Sequence, residues 1–210
     1  GEGIIGVRVV GRGVDTRLFD PQRHSPALRQ AWGLAPGALA CLYVGRLAAE
    51  KNLALIEKSF AAIQHVLPSA KMIWVGDGPS AARLRSAHPD HYFAGTRLGD
   101  DLATHYASAD LFLFPSLSET YGNVVAEAMA SGLPVLAYRS AAAAELISDG
   151  ANGQLVQPGD EASYLAAALA LASHRERLPE LSAAARYTML PRNWANVVDR
   201  FEMVAREAMA

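Results

Sequence analysis

Across 210 residues, 51% hydrophobic and 19% charged, the chain has the make-up of an ordinary α/β protein, long enough for one domain or one and a fraction with a sizeable core. Lysine and arginine number 19 against 21 aspartate and glutamate, a formal charge of −2 with no basic block, which argues against nucleic acid as the main partner. One cysteine excludes an internal disulfide, and no apolar run approaches a membrane span or reads as a signal peptide, so cytoplasmic residence is the expectation.

The opening GEGIIGVRVVGRGVDTRLFD begins in an apolar run that suits the last strand of a preceding domain. Pro21 to Gly37 is mixed and polar, with a short surface helix expected around Ala27 to Trp32. Ala38 to Val44 is an apolar run ending at Gly45, the first buried strand, and Cys41 within it reads as a core thiol rather than a nucleophile. GRLAAEKN follows, then a helix from about Asn52 to Val66 in which Leu53, Ile56, Phe60, Ile63 and Val66 share helical spacing and form a core face. Gly45 lets the backbone approach a ligand at the strand's end, and Arg46 and Lys51 place positive charge there, which suits a diphosphate; solvated surface cations are the plainer alternative.

Lys71 to Val75 is the next buried strand, closed by GDGP at Gly76 to Pro79. That turn lacks the third glycine and the acidic residue of a dinucleotide fingerprint, so it is a tight turn and, at most, part of a floor beneath a ligand. His91 to Ala94 reads as a short strand, followed by Gly95, Thr96 and Arg97, and Asp100 to Ala107 as a helix.

The stretch Ser108 to Tyr138 organises the rest. Leu111 to Phe114 is apolar and sharply bounded by Asp110 and Pro115, a strand buried on both faces. A polar loop, Ser116 to Gly122, carries Glu119. Asn123 reads as the N-cap of a helix over VVAEAMA, stopped by Gly132 and Pro134, before a second buried strand at Pro134 to Ala137. Ligands of such β-α-β units sit at the carboxyl ends of the strands, beside helix N-termini. Glu127 lies about one turn, roughly 6 Å, into a helix that is apolar nearly all round. A carboxylate buried there needs a hydrogen-bonding partner, either the hydroxyls of a ligand whose phosphates rest on the amides of Tyr121, Gly122, Asn123 and Val124, or a structural salt bridge.

Gly153 to Val156 reads as the last strand, and Asp160 to Leu171 as a helix capped by Asp160. From Arg175 to Ala210 the chain is helical and alanine-rich, with Pro191 separating two helices. His24, His65, His88, His91, His105 and His174 form no metal-ligand pattern, and no Walker loop or nucleophile elbow is present.

Glu119 and Glu127, with seven residues between them, stand in a segment that resembles glycosyltransferase family 4 almost position by position: SADLFLFPSLSETYGNVVAEAMASGLPVLAY. GRLAAEKN matches that family's G-R-L-x-x-E-K-N in full, and Gly13, Val14, Asp15, Phe19 and Pro21 match its crossing between domains. The resemblance runs from about Gly13 to Leu171. It implies the GT-B architecture of two facing Rossmann-like domains, of which this chain would be the C-terminal half: an α/β fold with a parallel sheet and helices on both faces. Residues 1–20 would then end the preceding domain and form the hinge, 21–190 the donor-binding domain, and 191–210 a terminal helix packing on the other domain, leaving Trp194, Phe201 and Met203 partly exposed unless that helix docks on its own domain.

The resemblance also implies roles. Arg46 and Lys51 would neutralise a leaving diphosphate, Glu119 would contact the hydroxyls of the donor sugar, and Glu127 the ribose. Gly45, Gly76, Thr120, Tyr121, Gly122, Asn123 and Val124 would surround the donor, with Gly95, Thr96 and Arg97 facing the base. Where the family often has a glycine-rich turn and a glutamate, Ser140 to Ile147 has four alanines before Glu145, so Glu145 is given no role. The implied substrate is a UDP- or GDP-sugar, with no metal or other cofactor. The implied partners are an N-terminal acceptor domain and a lipid or glycan acceptor, through which the full-length protein would meet the inner face of a membrane; GRGVDTRLFDP is similar to a segment of transferases that mannosylate lipids. Two alternatives stay open: a nucleotide-sugar epimerase of the same architecture, and a catalytically silent nucleotide-binding module.

Overall fold

The structure, a computed structural model, describes residues 11–208. The expected strand at the very start of the chain lies outside the described residues. In chain order the elements are helix α1 (Pro26–Ala31), strand β1 (Ala40–Val44), α2 (Leu53–Val66), β2 (Lys71–Val75), α3 (Ala81–Ala87), β3 (Tyr92–Gly95), α4 (Gly99–Ser108), β4 (Leu111–Phe114), α5 (Asn123–Ala130), β5 (Val135–Tyr138), α6 (Ala141–Leu146), β6 (Gln154–Val156), α7 (Glu161–Ser173), α8 (Leu178–Met189) and α9 (Trp194–Ala208).

All six strands pair in parallel in the order β3-β2-β1-β4-β5-β6. Every residue of β1, β4 and β5 is buried, which is why these strands read as continuous apolar runs rather than alternating ones. The chain builds outward from β1 through β2 to β3, then returns to lay β4 on the other side of β1. Right-handed crossovers in opposite directions therefore carry α2 and α5 to opposite faces. On one face α2 packs against α7, and on the other α5 packs against α4 and α8. Cys41 is fully buried in β1, where burial pushes its thiol far above its ordinary range.

Two expectations need correction. Val66 is 47% exposed, because α2 ends there and Leu67, the next residue, packs against the core in its place, while the fully buried Leu55 completes the inner face. The segment Pro21 to Gly37 is not simply surface: Ser25 caps α1 by accepting from the Leu28 amide at 3.1 Å, and the helix delivers Trp32 into the core beside Tyr92 and His105. The helices α3 and α6, short and without a clear apolar stripe, are not marked by periodicity.

The segment before α1 is sewn to the C-terminal helices. Val14 donates to the Arg192 carbonyl at 3.0 Å, and Arg186 on α8 donates to the carbonyls of Thr16, Phe19 and Ala130 while pairing with Asp20. Trp194, Phe201 and Met203 on α9 are 49%, 63% and 53% exposed, so the apolar face of that helix has no partner among the described residues that covers it. No helix of the described residues is long and apolar enough to cross a membrane.

Candidate functional site

Between the carboxyl ends of β1 and β4, where the strand order reverses, the loops leaving the two strands part and open a cleft of about 490 Å³. A doubly wound sheet places its ligands at this switch point. The β1 side contributes Gly45, Arg46 and Lys51, and the β4 side contributes Glu119, Thr120, Tyr121, Gly122, Asn123 and Val124. A neighbouring cavity of about 240 Å³ shares Val44, Gly45 and Arg46 with the cleft and is closed by Gly76, Thr96 and Arg97. The residues singled out from the sequence thus fall along one edge of the sheet, in two adjoining spaces, except Gly95 and Glu127, which line neither.

The loop after β1 is held from below. The Tyr43 hydroxyl donates to the Arg46 carbonyl at 3.0 Å, and burial, with Glu119 and Glu50 nearby, raises the tyrosine's pKa far above its ordinary range. Asn52, at φ 54°, turns the chain from a short 3-10 turn (Ala49–Lys51) into α2 and leaves Lys51 facing the cleft. Lys51 Nζ lies 2.6 Å from Glu119 Oε1 and donates to the Ser118 carbonyl at 3.0 Å. Arg46 faces outward, 65% exposed, and meets Glu50 Oε1 at 3.2 Å.

The glycines of the GDGP turn have a packing reason. A Cβ at Gly76 would overlap the Gly45 carbonyl oxygen, and one at Gly78 would come within 2.6 Å of the Leu47 carbonyl oxygen. The two loops cross in backbone contact, and the Gly76 amide donates to the Gly95 carbonyl at 2.8 Å, so Gly95 acts as a tie for the floor.

The start of α5 differs from expectation. Asn123 is the first helical residue and is exposed; the N-cap is Gly122, at φ 90°, and no side chain caps the helix. The left-handed bend that only glycine takes without strain swings the loop so that the cap position carries no side-chain acceptor. The first turn of α5 therefore presents its amides and its positive dipole end to the cleft, an arrangement that attracts an anion.

Glu127 sits below this turn. Its partner is the Tyr106 hydroxyl, which donates to Oε2 at 3.0 Å, and not a cation. Tyr106 is itself fixed edge-on between Phe19 and Phe112, with ring centroids 5.8 Å away in each case. Burial raises the pKa of Glu127, and the Tyr106 hydrogen bond opposes that shift.

Further residues reach the site without a signal in the local sequence. Arg12 lines the cleft and stacks over the Tyr121 ring at 5.6 Å. The Tyr121 hydroxyl donates to Glu145 at 3.4 Å, and Glu145 in turn pairs with Arg192 at 2.6 Å. The glutamate left without a role from sequence thus links the loop to the start of the C-terminal segment. Among the described residues no group of three or more His, Cys, Asp or Glu side chains is placed to hold a metal ion.

A family model described as glycosyl transferases group 1 matches residues 38–174, which span both strands and both loops of the cleft. The chain belongs to the group 1 glycosyl transferases. As a group 1 glycosyl transferase it is 36% identical over 183 residues to a GDP-mannose-dependent alpha-mannosyltransferase of Corynebacterium glutamicum, covering 87% of this chain and 43% of that protein. It is 35% identical over 195 residues to a sulfoquinovosyl transferase of Arabidopsis thaliana, covering 90% of this chain and 37% of that one. The chain thus spans less than half the length of these two curated relatives. An Anabaena protein crystallised with UDP and glucose superposes over 97% of this chain and 56% of its own, with a TM-score of 0.75 at 24% identity, which shows a shared fold.

Proposed function

We propose that the chain is the donor-binding domain of a retaining glycosyltransferase that moves a hexose from a nucleoside-diphosphate sugar to a lipid or glycan acceptor. The observation that carries this reading is the convergence, in one cleft at the sheet's switch point, of Lys51, Glu119 and the uncapped start of α5.

In that reading the diphosphate rests on the amides of Tyr121 to Val124, with Lys51 and Arg46 supplying positive charge. As the bond between the anomeric carbon and the phosphate oxygen breaks, negative charge gathers on the leaving diphosphate, and donors already in place stabilise it without reorganising. Glu119 accepts from the sugar hydroxyls. Glu127, held from below by Tyr106, accepts from the ribose. The reading assigns no metal or other cofactor to the chain, because cationic side chains and a helix N-terminus take up the charge.

The likeness to a GDP-mannose-dependent relative favours GDP-mannose as donor, with a UDP-sugar as the competitor. The acceptor side belongs to a further domain. Residues 11–20 serve as the hinge to it, and the exposed apolar face of α9 packs on it; contact with a membrane arises through a lipid acceptor. The chain alone accordingly binds donor and transfers no sugar. Calorimetric titration with UDP, GDP and ADP tests the reading: one nucleotide should bind, and Lys51→Ala and Glu127→Ala should each weaken it about tenfold or more. Binding of none of them, nor of the corresponding nucleotide sugars, would remove the reading.

A further inference from the structure

The cleft is cationic by residue type but largely self-neutralised by pairing. Arg46 meets Glu50 at the rim, and deeper inside Lys51 and Glu119, only 19% and 13% exposed, meet at 2.6 Å. The two groups that the donor-site reading gives to different parts of one ligand, Lys51 to the diphosphate and Glu119 to the sugar, here satisfy each other. Lys51 also donates to the Ser118 carbonyl, so two of its three ammonium donors are committed to the loop that carries Glu119.

A bare nucleoside diphosphate entering this cleft must either share Lys51 with a carboxylate of its own sign or draw Lys51 away and leave Glu119 shielded from water without its cation. Both are unfavourable. A nucleotide sugar meets neither difficulty, because its hydroxyls donate to Glu119 as Lys51 turns to the phosphates. We propose that Lys51 is exchanged between Glu119 and the diphosphate, so that Glu119 makes the cleft discriminate in favour of the sugar-bearing nucleotide over the sugarless one. After transfer, Glu119 reclaims Lys51, and the spent nucleotide loses a charge contact as it leaves. This inference rests on the donor-site reading above and adds to it a selectivity that simple contact with the sugar does not produce.

The test titrates the chain and its Glu119→Gln variant with GDP and GDP-mannose, and with UDP and UDP-glucose. Glutamine can still accept from Lys51 and from sugar hydroxyls but carries no charge. The expected result is that Glu119→Gln binds the bare diphosphate about tenfold more tightly than the parent chain, while the affinity for the nucleotide sugar stays level or falls, so that the preference between them shrinks by at least that factor. Weakening of both ligands in equal proportion would overturn the proposal and leave Glu119 as an ordinary sugar contact. A thermal-stability cycle of Lys51→Met, Glu119→Gln and the double variant, without nucleotide, checks the pair itself. Strict additivity would overturn the exchange even if the donor site stands. Binding of no nucleotide by the parent chain removes the donor-site reading and this proposal together, an outcome distinct from either of the others.

Discussion

The two edges of the sheet both carry cavities and charged side chains, yet they are built in opposite ways. At the amino edge, ahead of β1, β4 and β5, lies the larger space, about 600 Å³. Its charges serve the backbone there: Asp110 accepts from the Ala40 amide at 2.7 Å and from Arg29 at 3.0 Å, and Arg29 donates to the carbonyls of Ser108 and Ala38, both at 2.7 Å. Arg175 likewise donates to the Gly37 carbonyl. At the carboxyl edge the space is smaller, about 490 Å³, but it holds a helix start with no side-chain cap and a lysine and glutamate facing the same opening. Volume does not separate a ligand site from a packing gap. What separates them is what the polar groups are tied to: at the amino edge they hold backbone groups of the fold, while at the carboxyl edge Lys51 and Glu119 pair with each other across the opening and the first amides of α5 carry no side-chain cap.

That contrast can be broken most forcefully with glycines. Gly76 lies against the Gly45 carbonyl, so Gly76→Ala should force the two carboxyl-edge loops apart and cost about 3 kcal/mol or more, together with nucleotide binding. Gly37 at the amino edge has φ 74° but nothing within 4 Å of a would-be Cβ. Gly37→Ala should cost only the left-handed conformation, about 1 kcal/mol, and leave binding alone. Melting temperatures with and without nucleotide read both. Equal effects at the two glycines would mean that the loops at Gly45 and Gly76 are not in fixed contact.

The next effect separates stability from binding. Asp110→Ala leaves a mostly buried Arg29 and the Ala40 amide without their acceptor, a loss of about 2 kcal/mol after allowing for the partial exposure of Asp110. Affinity for nucleotide should be unchanged in whatever fraction is folded. Lys51→Ala strips the largely buried Glu119 of its cation, so it should cost a similar amount of stability, about 2 kcal/mol, but unlike Asp110→Ala it should also weaken nucleotide binding. Denaturant unfolding and calorimetry on both variants measure the difference. A Lys51→Ala variant that loses stability but not affinity would place Lys51 with the structural charges.

Much of this division is legible in the sequence, for identifiable reasons. The inner strands are buried on both faces, so they stand out as short apolar runs; β4 has the expected bounds, and β1 and β5 differ from theirs by a residue or two. The cleft residues Arg46, Lys51 and Glu119 lie in the segments that follow β1 and β4, where position puts them at the sheet's carboxyl edge but leaves surface cations as the plainer reading, and the family resemblance is what singles them out. What is not legible depends on chain segments far apart. Tyr106 reaches Glu127 from another helix, Arg12 covers Tyr121 from the segment before α1, and Asp110 serves Ala40 across 70 positions. The cap at α5 is missed for a local reason: Asn123 has the right side chain for a cap, but Gly122 takes the left-handed bend and becomes the cap itself. Glu145 follows four alanines, the first of which holds φ 44°, a conformation more natural to glycine, and its ion pair with Arg192 is visible only in the folded chain.

Acid should act on the two edges with opposite sign. At the amino edge His91, just before β3, accepts from the Trp74 indole at 3.1 Å and stacks on His88 at 4.4 Å. Burial, then the neighbouring His88, hold its pKa down at about 4, against the opposing pull of Asp90 and Glu57. Its folded pKa is below its unfolded value near 6.5, so the unfolded chain takes up a proton first and stability falls as pH drops from about 6.5 to about 4. For a half-buried ring the loss is about 1–2 kcal/mol, and His91→Gln, which keeps an acceptor for Trp74, should flatten it. At the carboxyl edge Glu127 has a raised pKa, so its ionised form costs stability at neutral pH, and that cost is relieved as pH falls through the folded pKa. Glu127→Gln should therefore raise the melting temperature slightly at pH 7, by about 1–3 °C, with the gain fading near pH 4 as the parent carboxyl becomes neutral too. A melting series from pH 7 to pH 4 on the parent and the two variants reads both slopes. If Glu127→Gln instead destabilises at pH 7, the carboxylate is held by more than the Tyr106 hydroxyl.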